Sequence, residues 1–279
     1  KGNFFYDIPK AKSDRYSVQL SSLWENWKKS ENSFAVPFAI DQQSNVVSFD
    51  FSGSTTPHLL IAGTTGSGKS WAIRALLEGL VNFYSPSEVG LILIDPKLVA
   101  FTKYDNSPHL LYPTAFEISE AKERLRICWN EMEDRYRKFK ELGAQTAKNI
   151  VDLDSYNKHV DASQRLSRWI VAIDEYFDLI GDPVAKKEVE PIIVKIAAKS
   201  RASGIHLIIA TQYPTVDVIN NVLRAQLPAQ LGLRVLKSQQ SQVIIDQSGA
   251  ESLAGNGDGL FKTGMAPVRV QCADLAELD

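Results

Sequence analysis

The chain has 279 residues, of which 44% are hydrophobic and 23% are charged, and its formal net charge is −2. The composition is ordinary for a globular protein, and the length fits one large α/β domain with an appendage or two small domains. A charge so close to zero excludes a chain that is basic all over. Nucleic acid could therefore bind only at a local basic surface or in a channel built by assembly.

The cysteine content and the hydropathy pattern indicate the cellular compartment in which the protein works. The two cysteines, Cys128 and Cys272, cannot form a disulfide framework and indicate a reducing environment, so we expect a cytoplasmic protein. No apolar run approaches the roughly 18 residues of a membrane span, and no signal peptide is evident. The chain begins at Lys1 instead of Met, so we expect a fragment of a longer protein.

The first 52 residues differ in pattern from the rest of the chain. Residues 21–29 predict a short amphipathic helix, on which Trp24 and Trp27 are expected to be packing residues. Short strands are predicted at 35–40 and 46–50, joined by a polar turn. We therefore predict an α/β lead-in over residues 1–52 and a main domain over residues 53–279.

From about Pro57 onwards, apolar strand patterns alternate with amphipathic helix patterns, which predicts an α/β fold. The continuously apolar strands indicate a mostly parallel central sheet flanked by helices. Strands are predicted at 58–62, 89–94, 169–173, 205–210 and 231–235, helices at 69–82, 119–142, 184–202 and 239–247, a polar excursion at 143–168, and a closing hairpin at 258–271 that turns at Gly264.

The predicted helix at 119–142 has an apolar stripe suited to the core and an opposite face rich in basic residues. A solvated surface is the expected role of that face, and a nucleic-acid patch is the alternative. The basic residues are Arg124, Arg126, Arg135, Arg137, Lys138 and Lys140.

One eight-residue segment fits the pattern G-x-x-x-x-G-K-[ST] and lies between a predicted buried strand and a predicted helix. In that context the glycines let main-chain N–H groups surround phosphates at a helix N-terminus. The lysine would reach the β- and γ-phosphates of a nucleotide, and the final hydroxyl would hold Mg²⁺. The segment is Gly63-Thr64-Thr65-Gly66-Ser67-Gly68-Lys69-Ser70. It predicts ATP or a related nucleotide as ligand.

A second motif is the apolar strand 169–173, which ends in Asp174 and Glu175. Asp174 is predicted to lie beside the phosphate loop and to hold Mg²⁺. Glu175 is predicted to orient and polarise the attacking water. The phosphate loop alone predicts nucleotide binding, and Glu175 extends that prediction to hydrolysis.

Two further residues are candidates for the same reaction. Gln212 follows the predicted strand 205–210, where a side chain can touch the γ-phosphate and report the nucleotide state. Arg201 ends the preceding predicted helix, and an arginine can stabilise the charge that develops during phosphoryl transfer. On spacing alone, Arg201 could equally be an ordinary helix-end residue.

Many segments in a fixed order resemble the FtsK/SpoIIIE DNA translocases, in the FtsK–HerA group of RecA-like P-loop ATPases. The resemblance runs from about Phe38 to Asp274. Its segments include His58–Ser70, Leu93–Lys97, Ile173–Glu175, Lys199–Leu207, Ala210–Gln212, Asp246–Leu253 and Gly257–Leu260.

The resemblance implies a RecA-like ATPase that forms a hexameric ring and uses ATP and Mg²⁺ to move along double-stranded DNA. It assigns Lys69 and Ser70 to the phosphates and Mg²⁺, Asp174 and Glu175 to the Walker B roles, and Gln212 to the sensor. It also matches Arg201 to the arginine that such rings present to the neighbouring subunit's nucleotide.

The sequence departs from the family at positions that tend to meet DNA. Tyr213 stands where an arginine is usual, and Ser238 and Gln242 stand near a usual lysine and arginine. Arg224 and Lys237 remain as candidate DNA contacts. Fewer phosphate contacts would weaken DNA binding and its dependence on salt. We also expect the family's C-terminal winged-helix module to be absent.

Two other functions stay open at this stage. A protein-secretion ATPase of the type VII kind shares the fold and would move a polypeptide, although the Ile94-Asp95-Pro96-Lys97 segment looks more like the DNA translocases. An assembly module that hydrolyses ATP without translocating is the third possibility.

Overall fold

The computed structural model describes residues 17–25, 27–31, 33–53, 55–264 and 266–275. The strands are β1 Ala35–Asp41, β2 Val46–Asp50, β3 Leu59–Ala62, β4 Val89–Ile94, β5 Arg168–Ile173, β6 Ile205–Thr211, β7 Ala229–Leu233, β8 Asp258–Thr263 and β9 Val268–Cys272. The α-helices are α1 Leu20–Glu25, α2 Lys69–Phe83, α3 Ile118–Thr146, α4 Leu153–Asn157, α5 Tyr176–Ile180, α6 Pro183–Lys199, α7 Asn221–Ala225 and α8 Ser238–Ile245.

Within the described residues, the nine strands form one sheet in the order β2-β1-β9-β8-β7-β3-β6-β5-β4. The five strands from β7 to β4 are parallel, and the four on the other side are antiparallel. The predicted α/β fold with a central parallel sheet is confirmed. Because parallel strands end at the same edge, β3, β5 and β6 place their following residues side by side.

Each face of the sheet has its own hydrophobic core. On β3, Leu59 and Ile61 pack in the same cluster as Leu76 of α2, whereas Leu60 and Ala62 pack in the cluster that contains Ile193 of α6. The alternation follows the two-residue period of a strand, and burial on both faces explains the continuously apolar strand patterns.

The lead-in is joined to the main sheet, since Ala39 of β1 pairs with Cys272 of β9. The division at residue 52 stays a prediction. Helix α1 ends at Glu25, earlier than the predicted 29. The packing role expected for the tryptophans is confirmed, because the rings of Trp24 and Trp27 lie 5.7 and 4.7 Å from that of Phe83.

Strand β7 occupies 229–233, two residues before its predicted position. Its register is fixed by β3, whose Ala62 pairs with Gly232. The chain then leaves the sheet at Arg234, whose carbonyl accepts from the N–H of Thr64. Val235 is buried although it lies beyond the end of the strand. The apolar run in the sequence is therefore longer than the strand, which explains the misplaced prediction.

The prediction that Arg135 lies on a solvated basic face of α3 is wrong, because this side chain is 1% exposed. Its Nε donates to Glu131 Oε1 at 2.7 Å, its Nη1 donates to the Ser203 carbonyl at 2.7 Å, and its guanidinium lies 5.0 Å from the Trp169 ring centroid. A buried arginine is tolerated because these contacts satisfy its charge. Periodicity could not show it, since Ser203 and Trp169 come from distant segments.

The predicted excursion at 143–168 contains α4 and a small core of its own. Ile150, Leu153 and Tyr156 are buried against Phe139 of α3. In the part of the chain that the structure describes, no helix combines the length and the apolarity that crossing a bilayer requires.

We predict that His58 makes the fold sensitive to acid. Burial lowers the pKa of His58 from 6.5 to about 4. Between those pH values the unfolded chain binds a proton that the folded chain does not. The contribution of His58 to the free energy of unfolding is therefore fully present above pH 6.5 and is lost as the pH drops towards 4. Between pH 7 and pH 5 this group should cost about 2 kcal/mol of unfolding free energy, measured by urea denaturation.

The variant His58→Asn keeps an acceptor for the Leu207 N–H, which bonds His58 Nδ1 at 3.0 Å, and lacks the titrating ring. It should lose this part of the pH dependence, whereas His159→Asn, at an exposed position, should keep it. An equal pH dependence in wild type and His58→Asn would contradict the prediction.

Candidate nucleotide site

The phosphate loop follows β3 and is held by the ends of the strands on either side of it, β6 and β7. The N–H of Gly63 donates to the Thr211 carbonyl at 3.2 Å, and the N–H of Thr64 donates to the Arg234 carbonyl at 2.9 Å. Helix α2 then begins at Lys69, directly after Gly68, whose φ is +97°. The strand, loop and helix predicted for this segment are confirmed, and the loop lies at the helix N-terminus, where anions are favoured.

A cavity of about 240 Å³ opens over the loop. It is lined by Thr64, Thr65, Gly66, Gly68, Lys69, Ser70, Trp71, Gln212 and Asn256. The Ser67 Oγ is buried and has no hydrogen-bond partner among the described residues. Main-chain amides, an ammonium and hydroxyls form a donor set suited to phosphates. The Ser70 hydroxyl and the Asp174 carboxylate are hard oxygen donors of the kind that Mg²⁺ prefers.

Lys69 and Asp174 form a buried ion pair. The Lys69 Nζ lies 2.7 Å from Asp174 Oδ1 and also donates to the main-chain carbonyl of Asp174. The two side chains are 3% and 7% exposed. The predicted proximity of Asp174 to the phosphate loop is therefore confirmed.

Glu175 is completely buried at the carboxyl edge of the sheet. Its Oε1 accepts from Thr211 Oγ1 at 2.7 Å, and its Oε2 accepts from the Gln212 N–H at 3.0 Å. These donors come from β6 and the residue that follows it, beside the end of β5. They fix the carboxylate in one orientation, as a residue that directs a water molecule requires.

Gln212 links Glu175 to the phosphate loop. While its N–H bonds Glu175, its side-chain Oε1 accepts from Thr65 Oγ1 at 3.0 Å. A displacement of Thr65 in the phosphate loop would therefore also displace Gln212 and act on Glu175, and the reverse holds as well. This geometry suits the predicted sensor role, which stays a prediction.

Lys97 is a neighbour of the site that residue-by-residue reasoning missed. Its Nζ lies 3.5 Å from Glu175 Oε2 and 3.6 Å from Asp178 Oδ2. Burial acts to lower the pKa of Lys97, but the two carboxylates outweigh it and the pKa is raised. The loop that carries Lys97 is fixed by Asp95, whose Oδ2 accepts from the N–H groups of Val99 and Ala100.

Arg201 lies apart from these residues. It stands in the turn between α6 and β6, whereas Gln212 follows the other end of β6. Seven residues of strand separate those ends by roughly 20 Å. Arg201 is exposed, lines a separate cavity of about 380 Å³ and forms no ion pair within the described residues. It cannot serve the phosphate loop of its own chain.

The two candidate DNA contacts differ in their surroundings. Arg224 Nη1 forms an ion pair with Asp246 Oδ1 at 2.8 Å and donates to the Gln242 carbonyl. Lys237 is exposed directly before α8. Neither residue lines the cavity over the phosphate loop.

Comparison with known proteins places the chain among ATPases. A family model described as FtsK/SpoIIIE family matches residues 19–216. DNA translocase FtsK of Borreliella burgdorferi is 39% identical over 269 residues, which cover 94% of this chain and 33% of that protein. The same-named protein of Streptococcus pneumoniae is 35% identical over 283 residues, which cover 100% of this chain and 36% of that protein. The chain spans about a third of the length of these curated relatives.

Two solved structures share the fold. The pCW3 conjugation coupling protein TcpA, solved with ATPγS, is 25% identical with a TM-score of 0.73, and the match covers 96% of this chain and 70% of that one. The cytoplasmic domain of the type VII secretion ATPase EccC of Thermomonospora curvata is 22% identical with a TM-score of 0.78, covering 93% and 32%. At 22% identity, the likeness to EccC shows only that the two proteins share a fold.

We predict that the Lys69–Asp174 pair contributes to stability as a unit. Lys69→Met leaves the Asp174 carboxylate buried without its partner and should lower the free energy of unfolding by roughly 3 kcal/mol. The double variant Lys69→Met/Asp174→Asn should recover more than half of that loss. Urea denaturation in the absence of nucleotide measures both.

The matched control is the pair of Lys122 and Glu188, whose side chains are 22% and 48% exposed. Lys122→Met should cost less than about 1 kcal/mol, because water already solvates both charges. Equal losses for the Lys69 and Lys122 variants would contradict the prediction.

Proposed function

The chain belongs to the FtsK/SpoIIIE family, and on that premise we propose that it is an ATP-hydrolysing motor domain that acts on double-stranded DNA as part of a ring-shaped translocase. The observation that carries the proposal is the convergence of Lys69, Asp174, Glu175 and Gln212 at one edge of the sheet. Because the chain spans a third of its relatives, we propose that it works as the motor part of a larger protein for genome handling, conjugation or defence.

Each residue has a role in phosphoryl transfer to water. The phosphate-loop amides and Lys69 bind and orient the β- and γ-phosphates. Ser70 and Asp174 would hold Mg²⁺, which would neutralise charge on the phosphates. Glu175 orients the attacking water and accepts its proton. Gln212 senses the γ-phosphate through the bonds that connect it to both Thr65 and Glu175.

Arg201 completes the site of a neighbouring subunit. It is exposed at the amino edge of the sheet, roughly 20 Å of strand away from its own phosphate loop. A head-to-tail contact between copies brings the amino edge of one chain to the carboxyl edge of the next, and repeating that contact closes a ring. We propose a hexamer, following the family, in which each nucleotide is bound by one chain and receives Arg201 from the next.

Double-stranded DNA is the proposed substrate because the relatives at 35–41% identity are named DNA translocases. The secretion ATPase EccC shares the fold at only 22% identity, so a polypeptide substrate is the weaker alternative. Lys237 is the freer of the two candidate DNA contacts, since Arg224 is paired with Asp246. Tyr213, where the family has arginine, packs its ring 4.7 Å from that of Phe177.

A cytoplasmic location is part of the same proposal. Both cysteines are free and buried, as a reducing compartment allows.

We predict ATPase activity that duplex DNA stimulates and that depends on Glu175. Glu175→Gln keeps the size of the side chain and loses the base, so kcat should fall roughly 100- to 10,000-fold while ATP affinity stays within a few-fold of wild type. Lys69→Ala should abolish ATP binding itself. The exposed Glu188→Gln is the matched control and should leave kcat unchanged.

No stimulation by duplex DNA at low salt, with rings seen in electron micrographs, would overturn the DNA motor. Stimulation by an unfolded polypeptide instead would favour the secretion ATPase. Displacement of a triplex-forming strand separates movement along DNA from binding alone, and its absence beside DNA-stimulated hydrolysis would favour the module that does not translocate.

For Arg201 we predict complementation between defective subunits. Arg201→Ala and Glu175→Gln each disable every site of a uniform ring. In an equal mixture, about a quarter of the interfaces pair an intact Glu175 with an intact Arg201, so hydrolysis should return to about that fraction of wild type. Steady-state ATPase assays of the mixture measure it.

The control mixture combines Glu175→Gln with Lys69→Ala, whose defects lie on the same side of the interface, and it should stay inactive. An Arg201 mixture that hydrolyses no faster than its components would show that Arg201 is not donated between subunits.

A further inference from the structure

We infer that the turn Gly255-Asn256-Gly257 is a second half of the nucleotide site, and that the side-chain amide of Asn256 donates to a phosphate oxygen of the bound nucleotide. The inference rests on the proposed function, because it concerns the same cavity. It adds a residue that lies nearly 190 positions beyond the phosphate loop and outside every motif that predicted the site.

The turn is bonded directly to the phosphate loop. The N–H of Asn256 donates to the Gly66 carbonyl at 3.1 Å, and the N–H of Gly257 donates to the Ser67 carbonyl at 2.8 Å. In a trans peptide the C=O and the next N–H point in opposite directions. Holding the Ser67 carbonyl on the turn therefore directs the Gly68 N–H to the opposite side and fixes the orientation of that donor.

The two segments are in backbone contact. A Cβ added at Gly68 would lie 2.3 Å from the Gly257 nitrogen, so no side chain fits between them. Position 68 therefore requires glycine for two reasons, the close approach of the turn and the positive φ. The phosphate loop is thus shaped by the turn and not only by its own sequence.

The backbone of the turn is strained and anchored. Gly255, Asn256 and Gly257 have φ values of +85°, +51° and +86°. For Asn256 this left-handed conformation has a cost, although asparagine bears it better than most residues. The Nε2 of Gln271 donates to the Asn256 carbonyl at 2.7 Å, and the N–H of Cys272 donates to the Gly257 carbonyl at 2.8 Å.

The side chain of Asn256 is exposed and lines the cavity beside Gly66 and Gly68, whose amides face phosphates in a loop of this kind. Its amide group is a neutral donor that can reach an anion without adding charge. The phosphate chain is the nearest part of a nucleotide that this donor would meet.

Two variants at one position test the inference. Asn256→Asp keeps the shape and the tolerance of positive φ but sets a carboxylate against the phosphates, so the Kd for ATP should rise about tenfold or more at low salt. Asn256→Gly keeps the main-chain N–H and relieves the strain while removing the donor, so the Kd should rise about threefold to tenfold. Fluorescence titration with a ribose-labelled ATP, on the full chain, measures both.

Inorganic tripolyphosphate used as competitor identifies the part of the nucleotide that is contacted. Its inhibition constant should rise in both variants, in parallel with the Kd for ATP. An unchanged inhibition constant beside a weaker Kd for ATP would move the contact to the nucleoside and overturn the phosphate assignment.

The control for added charge is Asn130→Asp, at an exposed position of α3, which should bind ATP within about twofold of wild type. Wild-type affinity in both Asn256 variants, or equal weakening by Asn130→Asp, would overturn the inference. These outcomes differ from failure of the proposed function, in which wild type does not bind ATP or Lys69→Ala binds it equally well.

Discussion

Parallel pairing of β6 with β3 on one side and with β5 on the other is the constraint on which the site depends. Ala62 pairs with Thr211 and Ile173 pairs with Ile209, so three strands deliver their next residues to one edge. Those residues are the phosphate loop, the acid pair of Asp174 and Glu175, and Gln212. Because main-chain ladders fix these strands to one another, the sheet places the residues that follow the three strands side by side.

The charged groups buried at this edge are held by partners from other segments. Lys69 pairs with Asp174, and Glu175 accepts from Thr211 and Gln212. The exposed Thr65 donates to Gln212. Buried charges without such partners would destabilise the fold, so the arrangement that suits phosphate chemistry also meets the requirement of burial. The same bonds connect the phosphate loop to the residue proposed as base, which gives a physical route from nucleotide to hydrolysis.

The two ends of β6 have different proposed uses. Gln212 follows its carboxyl end and belongs to the chain's own site, whereas Arg201 precedes its amino end and faces outward. A rigid strand of this length keeps them apart in one copy and presents them to different neighbours in a ring. Hydrolysis would then depend on the interface, which suits a motor that must coordinate its subunits.

Strand periods, helix periods and a local motif depend on neighbouring residues, so the alternating fold, the phosphate loop and the acid pair could be predicted from the sequence. Contacts between distant segments depend on the tertiary structure. It buried Arg135 against Trp169, shifted β7 to match β3, and brought Lys97 to Glu175 and Asn256 to Gly66. These contacts join residues tens to hundreds of positions apart, and no local period or motif records which side chains the folded sheet will bring together.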